Sequence, residues 1–460
     1  MKSSQDNTPP AGLTTLSDVI RWHTGLQLLH ARLASHFARP EPYARALRFV
    51  QGILSTAERK NAWQLAEQAR EATPYGMQRL LSQAVWDADG VRDDLRAFAL
   101  HQLGSRHVIV AIDETGFLKR GTHSAGVGKQ HYGPTGDLRN CQVGVFLSLV
   151  TEAGHTLIDR ELYVPRDWTD DLARSQRVGI PETVPFRTKP QLAILMVERL
   201  VQAQVSIEWV VADSVYGGNP DLRTWLETHK QPYVMAVACD EPIVLHIPTV
   251  GVRRLEVRDV PAWLSASSWQ PLSMSEGTKG PRLFDWACLP IWHQGGDDGW
   301  HSLLLRRTLD PTPDLAFYLV FAPPGTLLQS KVTALGGRWR IEEDFENGKD
   351  LGLDHYEVRS CVGWYRHITL VMLALAFLTS IALAARNPSS ALLEARHHPA
   401  EAVMPTDLCP LSVPEARRLL ARLLFPPPSR LCLVLAWSAW RRRHQHLARF
   451  FQTRHRLKAG

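Results

Sequence analysis

Two short apolar runs constrain this chain more than any other feature: VIVAID, ending at Asp113, and WVVAD, ending at Asp213. Unbroken apolar runs of this length read as strands buried on both faces. Each is expected to finish at its aspartate, which puts an acid at the sheet edge where loops open to solvent. Strands often end in Asp because Asp suits turns, so neither residue is informative alone. Two such acids on neighbouring strands would converge within metal-bridging distance. Hard divalent cations such as Mg²⁺ take oxygen ligands of this kind, completed by water and phosphate. Two ions about 4 Å apart can activate a nucleophile and stabilise a leaving oxygen.

The surrounding pattern supports an α/β arrangement. Residues 1–12 are polar and Pro-rich, and 15–104 read as amphipathic helices broken at Pro40, Pro42 and Pro74. After the 108–112 strand and a Gly-rich loop, 142–151 and 155–164 read as a hairpin turned at Gly154. A helix over 190–204, a strand over 209–212, a helix over 219–229 and a strand over 233–238 follow. The expected order is β, β, β, α, β, α, β. Residues 240–330 are β-rich and hold Trp263, Trp269, Trp286, Trp292 and Trp300, five of the chain's 15 tryptophans. Most of these are expected in a small β unit's core. Helical pattern returns near Leu327 and runs through Gly348.

Several function classes are excluded. Apolar residues at 45% and charged residues at 21% are an ordinary globular balance, not a disordered one. The six cysteines form no CxxC pair, so a zinc ribbon or thioredoxin site is not expected. Gly128-Lys129 is followed by Gln130, which fails the phosphate-loop pattern, and there is no HExxH or GxSxG. The first residues contain no apolar stretch of the signal-peptide kind. Ile368–Ala385 is apolar and uncharged over 18 residues, the lower limit for a spanning helix. Its flanks, Arg366, His367 and Arg386, give no orientation. A buried core helix and no membrane are expected. From Arg386 onward there are 13 Lys+Arg against 4 Asp+Glu, in a chain of net charge +6. The basic excess therefore sits at the C-terminal end, which suits either a solvated face or a polyanion partner.

A third acid is offered by RWRIEEDFENGKDLGL. On a helix, Arg338, Glu342, Glu346 and Lys349 share one face by spacing. Such a face is ordinarily just solvated, with Arg338–Glu342 an exposed pair worth well under about 1 kcal/mol. Glu114 and Asp159 read as structural or as supporting the site from behind its ligands, Glu114 pointing to the opposite face from Asp113 if the strand continues and Asp159 pairing with Arg160 or Arg166.

Five stretches in order carry a resemblance: AIDETGFLKRG (111–121), QHYGPTGDLRNCQVGVFLS (130–148), LIDRELYVPRDWTDD (157–171), WVVADSVYGG (209–218) and RWRIEEDFENGKDLGLDHYEVRS (338–360). The chain resembles DDE transposases of the insertion sequence 701 group, in the insertion sequence 4 superfamily. The superfamily's Tyr–Arg–Glu–Lys motif falls on Leu335, Arg338, Glu342 and Lys349, a departure at the tyrosine.

The resemblance implies a ribonuclease-H-like core over 105–239 and 331–385, interrupted by the β-rich insertion 240–330. A helical DNA-binding domain over 1–104 precedes it, and a basic segment over 386–460 follows. It implies that Asp113, Asp213 and Glu342 hold two Mg²⁺ ions, with Mn²⁺ a possible substitute. Water then cuts the phosphodiester at the element's end, and the freed 3′-hydroxyl attacks target DNA. Arg338 and Lys349 would hold phosphates, and Arg441, Arg442 and Arg443 would track the backbone. Glu346 is the alternative third acid. The implied partners are double-stranded DNA, as terminal inverted repeats and target, and a second copy of the chain, in a bacterial cytoplasm at the nucleoid. A related nuclease without strand transfer, or a domesticated DNA-binding protein, would share the same core.

Overall fold

In the computed structural model, residues 14–386 are described apart from 105, 249, 278–279, 294–295, 297 and 311, together with 410–426, 435–445, 447 and 451. The chain divides into two units, one of Leu95–Glu346 and one of Met1–Asp94 with Asn347–Gly460.

The first unit is built on a ten-stranded mixed sheet. Its strands are β1 (Val108–Leu118), β2 (Gly128–Tyr132), β3 (Asp137–Val150), β4 (His155–Tyr163), β5 (Ile207–Ala212), β6 (Tyr233–Val237), β9 (Gln270–Gly277), β10 (Gly280–Pro290), β11 (His301–Arg307) and β12 (Leu315–Phe321). A separate two-stranded sheet holds β7 (Pro242–Ile247) and β8 (Gly251–Glu256). The large sheet runs β2-β3-β1-β5-β6-β12-β11-β10-β9, with β4 on β3 beyond β2. Among the described residues, only β1–β5 and β5–β6 pair in parallel. This mixed α/β arrangement fits a ribonuclease-H-like core.

The apolar runs explain the centre of the sheet. Val110, Ala111, Ile112 and Val210, Val211, Ala212 are fully buried, so both faces must be covered. The helix Lys189–Gln202 lies against β3 and β4. It begins with a capping box, in which Thr188 and Gln191 satisfy each other's backbone N–H groups. It buries Leu192, Met196 and Leu200.

Three details depart from the sequence expectation. The Gly-rich loop contains a strand, β2, with no apolar run to announce it. The β1 strand continues to Leu118, because β3 pairs with it all the way to Cys141. The β-rich segment does not form a unit of its own: β12 pairs with β6, and β11, β10 and β9 extend the same sheet. Its tryptophans divide accordingly. Trp286 is buried at 0% exposure, Trp300 stacks on Phe321, and Trp263 is half exposed.

The second unit is helical. Leu16–Arg32, Pro40–Ile53, Ala62–Gln68 and Tyr75–Ser82 share it with Cys361–Arg386 and Val413–Leu423. The helix Cys361–Arg386 is long and apolar enough to cross a membrane, and 83% of its apolar window is buried inside the protein. A helix apolar on all sides needs a complete jacket. Pro40–Ile53, Tyr75–Ser82 and Val413–Leu423 supply it. Arg366 and His367, which could pass for membrane flanks, are buried too: Arg366 donates to the carbonyls of Leu81 and Trp86, and His367 bonds that of Gly352. The buried core helix expected from the sequence is thus found. It shares its unit with the N-terminal helices, where the sequence reading had put the two in separate segments.

Candidate active site

The candidate site lies within the sheet unit, where the parallel pairing of β1 and β5 stops. Ile112 and Ala212 are the last register partners of these strands. Asp113 and Asp213 are the next residue on each. At Asp213 the chain leaves the sheet: its carboxylate caps the short helix Ser214–Gly217, accepting the Val215 N–H at 2.9 Å. Gly217 then passes so close to β6 that an added Cβ would lie 1.9 Å from the Ala236 carbonyl oxygen. Asp113 is not at a strand end, as the apolar run implied. It sits inside β1 opposite Phe146 of β3. The site opens beside it because β5 ends there, not β1.

Glu342 comes from the helix Arg340–Asp350. Its buried side is Ile341, Asp344 and Phe345. Phe345 packs edge-on against Phe146, with centroids 5.5 Å apart. Cross-strand partners share a sheet face, so Phe146 puts this helix on the face to which Asp113 points. Asp344 is locked down as well, accepting from Ser148 Oγ at 2.5 Å and pairing with His155 Nδ1 at 2.9 Å. The preceding Gly336 and Gly337 allow close approach. A Cβ on Gly336 would lie 2.3 Å from the Met274 carbonyl oxygen, and one on Gly337 would lie 3.1 Å from Ile109. With that phase fixed, Glu342 and Glu346 fall on the helix's exposed side.

The electrostatics show the acids acting on one another. Burial, then the neighbouring Asp213 and Glu114 charges, raise Asp113 to about 7, while Arg338 opposes the rise. Asp213 is raised by burial and by Glu114. Glu342 is raised by burial, against the pull of Arg338, with Glu346 and Asp213 adding to the rise. Arg338 Nη2 lies 3.3 Å from Glu342, and its side chain is 13% exposed. The solvated pair expected from spacing is therefore half-enclosed, because this helix face is laid beside acids of the sheet.

Other candidates are placed differently. Lys349 is in the last turn of the same helix, half-buried. Arg441 is held by Glu67 at 2.6 Å, while Arg442 and Arg443 are exposed. Leu335, at the motif's tyrosine position, is buried at 1% exposure. Asp159 meets Arg199 at 3.0 Å and Arg160 only at 3.9 Å. Glu114 accepts from Lys189 at 2.5 Å and from the buried Tyr216 hydroxyl at 2.6 Å. Sequence reasoning missed Lys189, Tyr216, His155 and Asp344. Asp344 had a signal: it lies three residues after Ile341 and one before Phe345, on the apolar face.

Three carboxylates whose proton affinity is raised by burial and by neighbouring acids, offering hard oxygen donors beside the Arg338 guanidinium, fit a divalent cation.

A family model described as DDE superfamily endonuclease matches residues 32–255. It spans Asp113 and Asp213, and stops before Glu342. A probable transposase for insertion sequence element IS701 from Microchaete diplosiphon is 27% identical over 166 residues. The chain is similar to both over part of its length. The aligned segment covers 36% of the chain and 41% of that relative's length. A solved piggyBac transposase synaptic complex with hairpin DNA aligns over 95% of this chain and 78% of that one, at a TM-score of 0.38 and 12% identity, too loose a likeness to bear on the site.

Proposed function

We propose that this chain is a DDE transposase of the IS701 type, which cuts phosphodiester bonds at transposon ends and joins the freed 3′-hydroxyl to target DNA. The observation that carries the reading is the placement of Asp113 and Asp213 directly after the last register partners of two parallel strands, with Glu342 fixed on the same face through Phe345 and Phe146. Asp113, Asp213 and Glu342 would hold two Mg²⁺ ions, with Mn²⁺ able to substitute. When bound, the metal supplies activation of the attacking oxygen and charge stabilisation of the leaving one. Arg338 keeps Glu342 oriented and offers its remaining N–H groups to a backbone phosphate. Lys349, Arg442 and Arg443 add phosphate contacts, and Arg441 would join them only by leaving Glu67. The helical region before residue 104 would bind double-stranded DNA at terminal inverted repeats, and two copies would pair the two ends, in the bacterial cytoplasm at the nucleoid.

The test is a strand-transfer assay with cognate ends and Mg²⁺. Asp113→Asn, Asp213→Asn and Glu342→Gln should each abolish cleavage while leaving end binding largely intact, because phosphate contacts dominate affinity. Normal turnover in any one of them removes that residue from the set. Cleavage without joining would make the protein a nuclease, and binding without cleavage a domesticated DNA-binding protein.

A further inference from the structure

A second group of ligating side chains lies in the sheet unit, outside the acid cluster. Glu227, His293 and His301 each present one donor atom, and the three atoms lie within 4.8 Å of one another. Glu227 closes the helix Pro220–Thr228, His301 opens β11, and His293 is placed by the bridges Val244–Trp292 and His293–Gly296. They line a cavity of about 210 Å³, together with Arg223, Tyr233 and Trp292.

The environment of His301 points to a ligand. It is 7% exposed, and its Nε2 is buried without a hydrogen bond. Its Nδ1 is held by Asp298 at 2.7 Å. With Asp298 on Nδ1, a metal ion would take the place of a proton on Nε2, the arrangement found behind metal-bound histidines. His301 Nε2 is 3.3 Å from Glu227 Oε1, and His293 Nε2 is 3.9 Å from Glu227 Oε2. Donors of a tetrahedral site with bonds of about 2.0–2.1 Å are about 3.3 Å apart, so small movements suffice. The rings of His293 and His301 stack at 4.0 Å and 12°. Two imidazolium cations would repel in that geometry, whereas two neutral ligands of one ion would not. Tyr233 donates to Glu227 at 2.7 Å and steadies the third ligand.

We propose that Glu227, His293 and His301 form a binding site for a zinc-class transition metal, distinct from the three acids. Two imidazoles and one carboxylate suit such an ion and do not suit Mg²⁺. The ion ties the helix Pro220–Thr228 to the segment before β11 and to the start of that strand.

The experiment uses full-length protein stripped of metal and titrated with Co²⁺ as a spectroscopic probe, then with Zn²⁺. The wild type and Asp113→Asn should both develop visible ligand-field bands with one equivalent of Co²⁺, displaced by Zn²⁺. His293→Ala should lose them, and His293 is exposed enough to spare folding. Zn²⁺ should raise the Tm of the wild type and not that of His293→Ala. Asp298→Asn should weaken Zn²⁺ binding by about 10–100-fold. Bands that persist in both His293→Ala and Glu227→Gln, or a wild type that shows none, would overturn the assignment.

Discussion

Phe345 rests edge-on against Phe146, the residue that faces Asp113 across the β1–β3 ladder. The contact carries the third acid to the first two, since Glu342 is three residues before Phe345 on the same helix. Phe345→Ala should cost about 3–5 kcal/mol, as buried Phe truncations do. It should also lower the cleavage rate at temperatures where the protein is still folded. Phe345→Leu should recover most of both. Full cleavage by a folded Phe345→Ala protein would show that Glu342 is positioned some other way.

Gly336 tests the same idea from the other end of the approach. A side chain there would meet the Met274 carbonyl oxygen, and a backbone atom cannot step aside cheaply. Gly336→Ala should destabilise by about 1–3 kcal/mol, in the manner of overpacked sites. Cleavage should fall with it. An unchanged Tm would mean that the Met274 carbonyl does not crowd this position.

Asp113 carries a measurable cost in the absence of metal. Its folded-state proton affinity is raised to about 7, above the ordinary value of 3.8. The folded protein therefore holds the proton more tightly than the unfolded chain between those values. Stability from this group is present at low pH and is lost as pH rises through about 7. Asp113→Asn should remove that slope and raise the metal-free Tm at neutral pH by roughly 2–4 °C. A lower Tm in the variant would mean the carboxylate is stabilised by contacts that outweigh burial and its acidic neighbours.

Much of this site could be read from residues alone, for a physical reason. Strands buried on both faces declare themselves as unbroken apolar runs, and Asp213 is a helix cap that any turn-former signal would place. The apolar run puts Asp113 at a strand end, whereas β1 continues past it: such a run shows where burial stops, not where pairing stops. The β3 strand that extends β1 to Leu118 is a non-local partner. The same limit hid β2 and the joining of β9–β12 to the large sheet, since strand partners are chosen by tertiary packing. Lys189 and Tyr216 stayed invisible because their partner, Glu114, is 75 and 102 residues away.

His155 gives the helix anchor a pH signature of its own. Asp344 and Glu343 raise it from 6.5 to about 9, overcoming the opposing effect of burial. A histidine with a raised folded-state value contributes stability that is complete below about pH 6.5 and is lost as pH rises through 9. His155→Gln should be less stable than wild type at pH 6 and should close the gap by pH 10. Denaturant unfolding of the metal-free protein across that range measures it. Parallel stability curves would mean that His155 is neutral when folded.

The consecutive arginines 441–443 separate a phosphate contact from an internal one. Arg441 is paired with Glu67, whereas Arg442 and Arg443 are exposed. If the exposed pair neutralises DNA phosphates, each contact releases counterions worth about 0.9 in the slope of log K against log salt. Arg442→Ala/Arg443→Ala should flatten that slope by up to about 1.8 for cognate and random DNA alike, because phosphate contacts carry no sequence information. Tm should be unchanged. Arg441→Ala should do the reverse, leaving the slope near the wild-type value and lowering Tm slightly, since a partly exposed pair is worth about 0–1 kcal/mol. A double variant with an unaltered slope would reduce Arg442 and Arg443 to a solvated basic face. A change confined to cognate DNA would mean they read the terminal sequence.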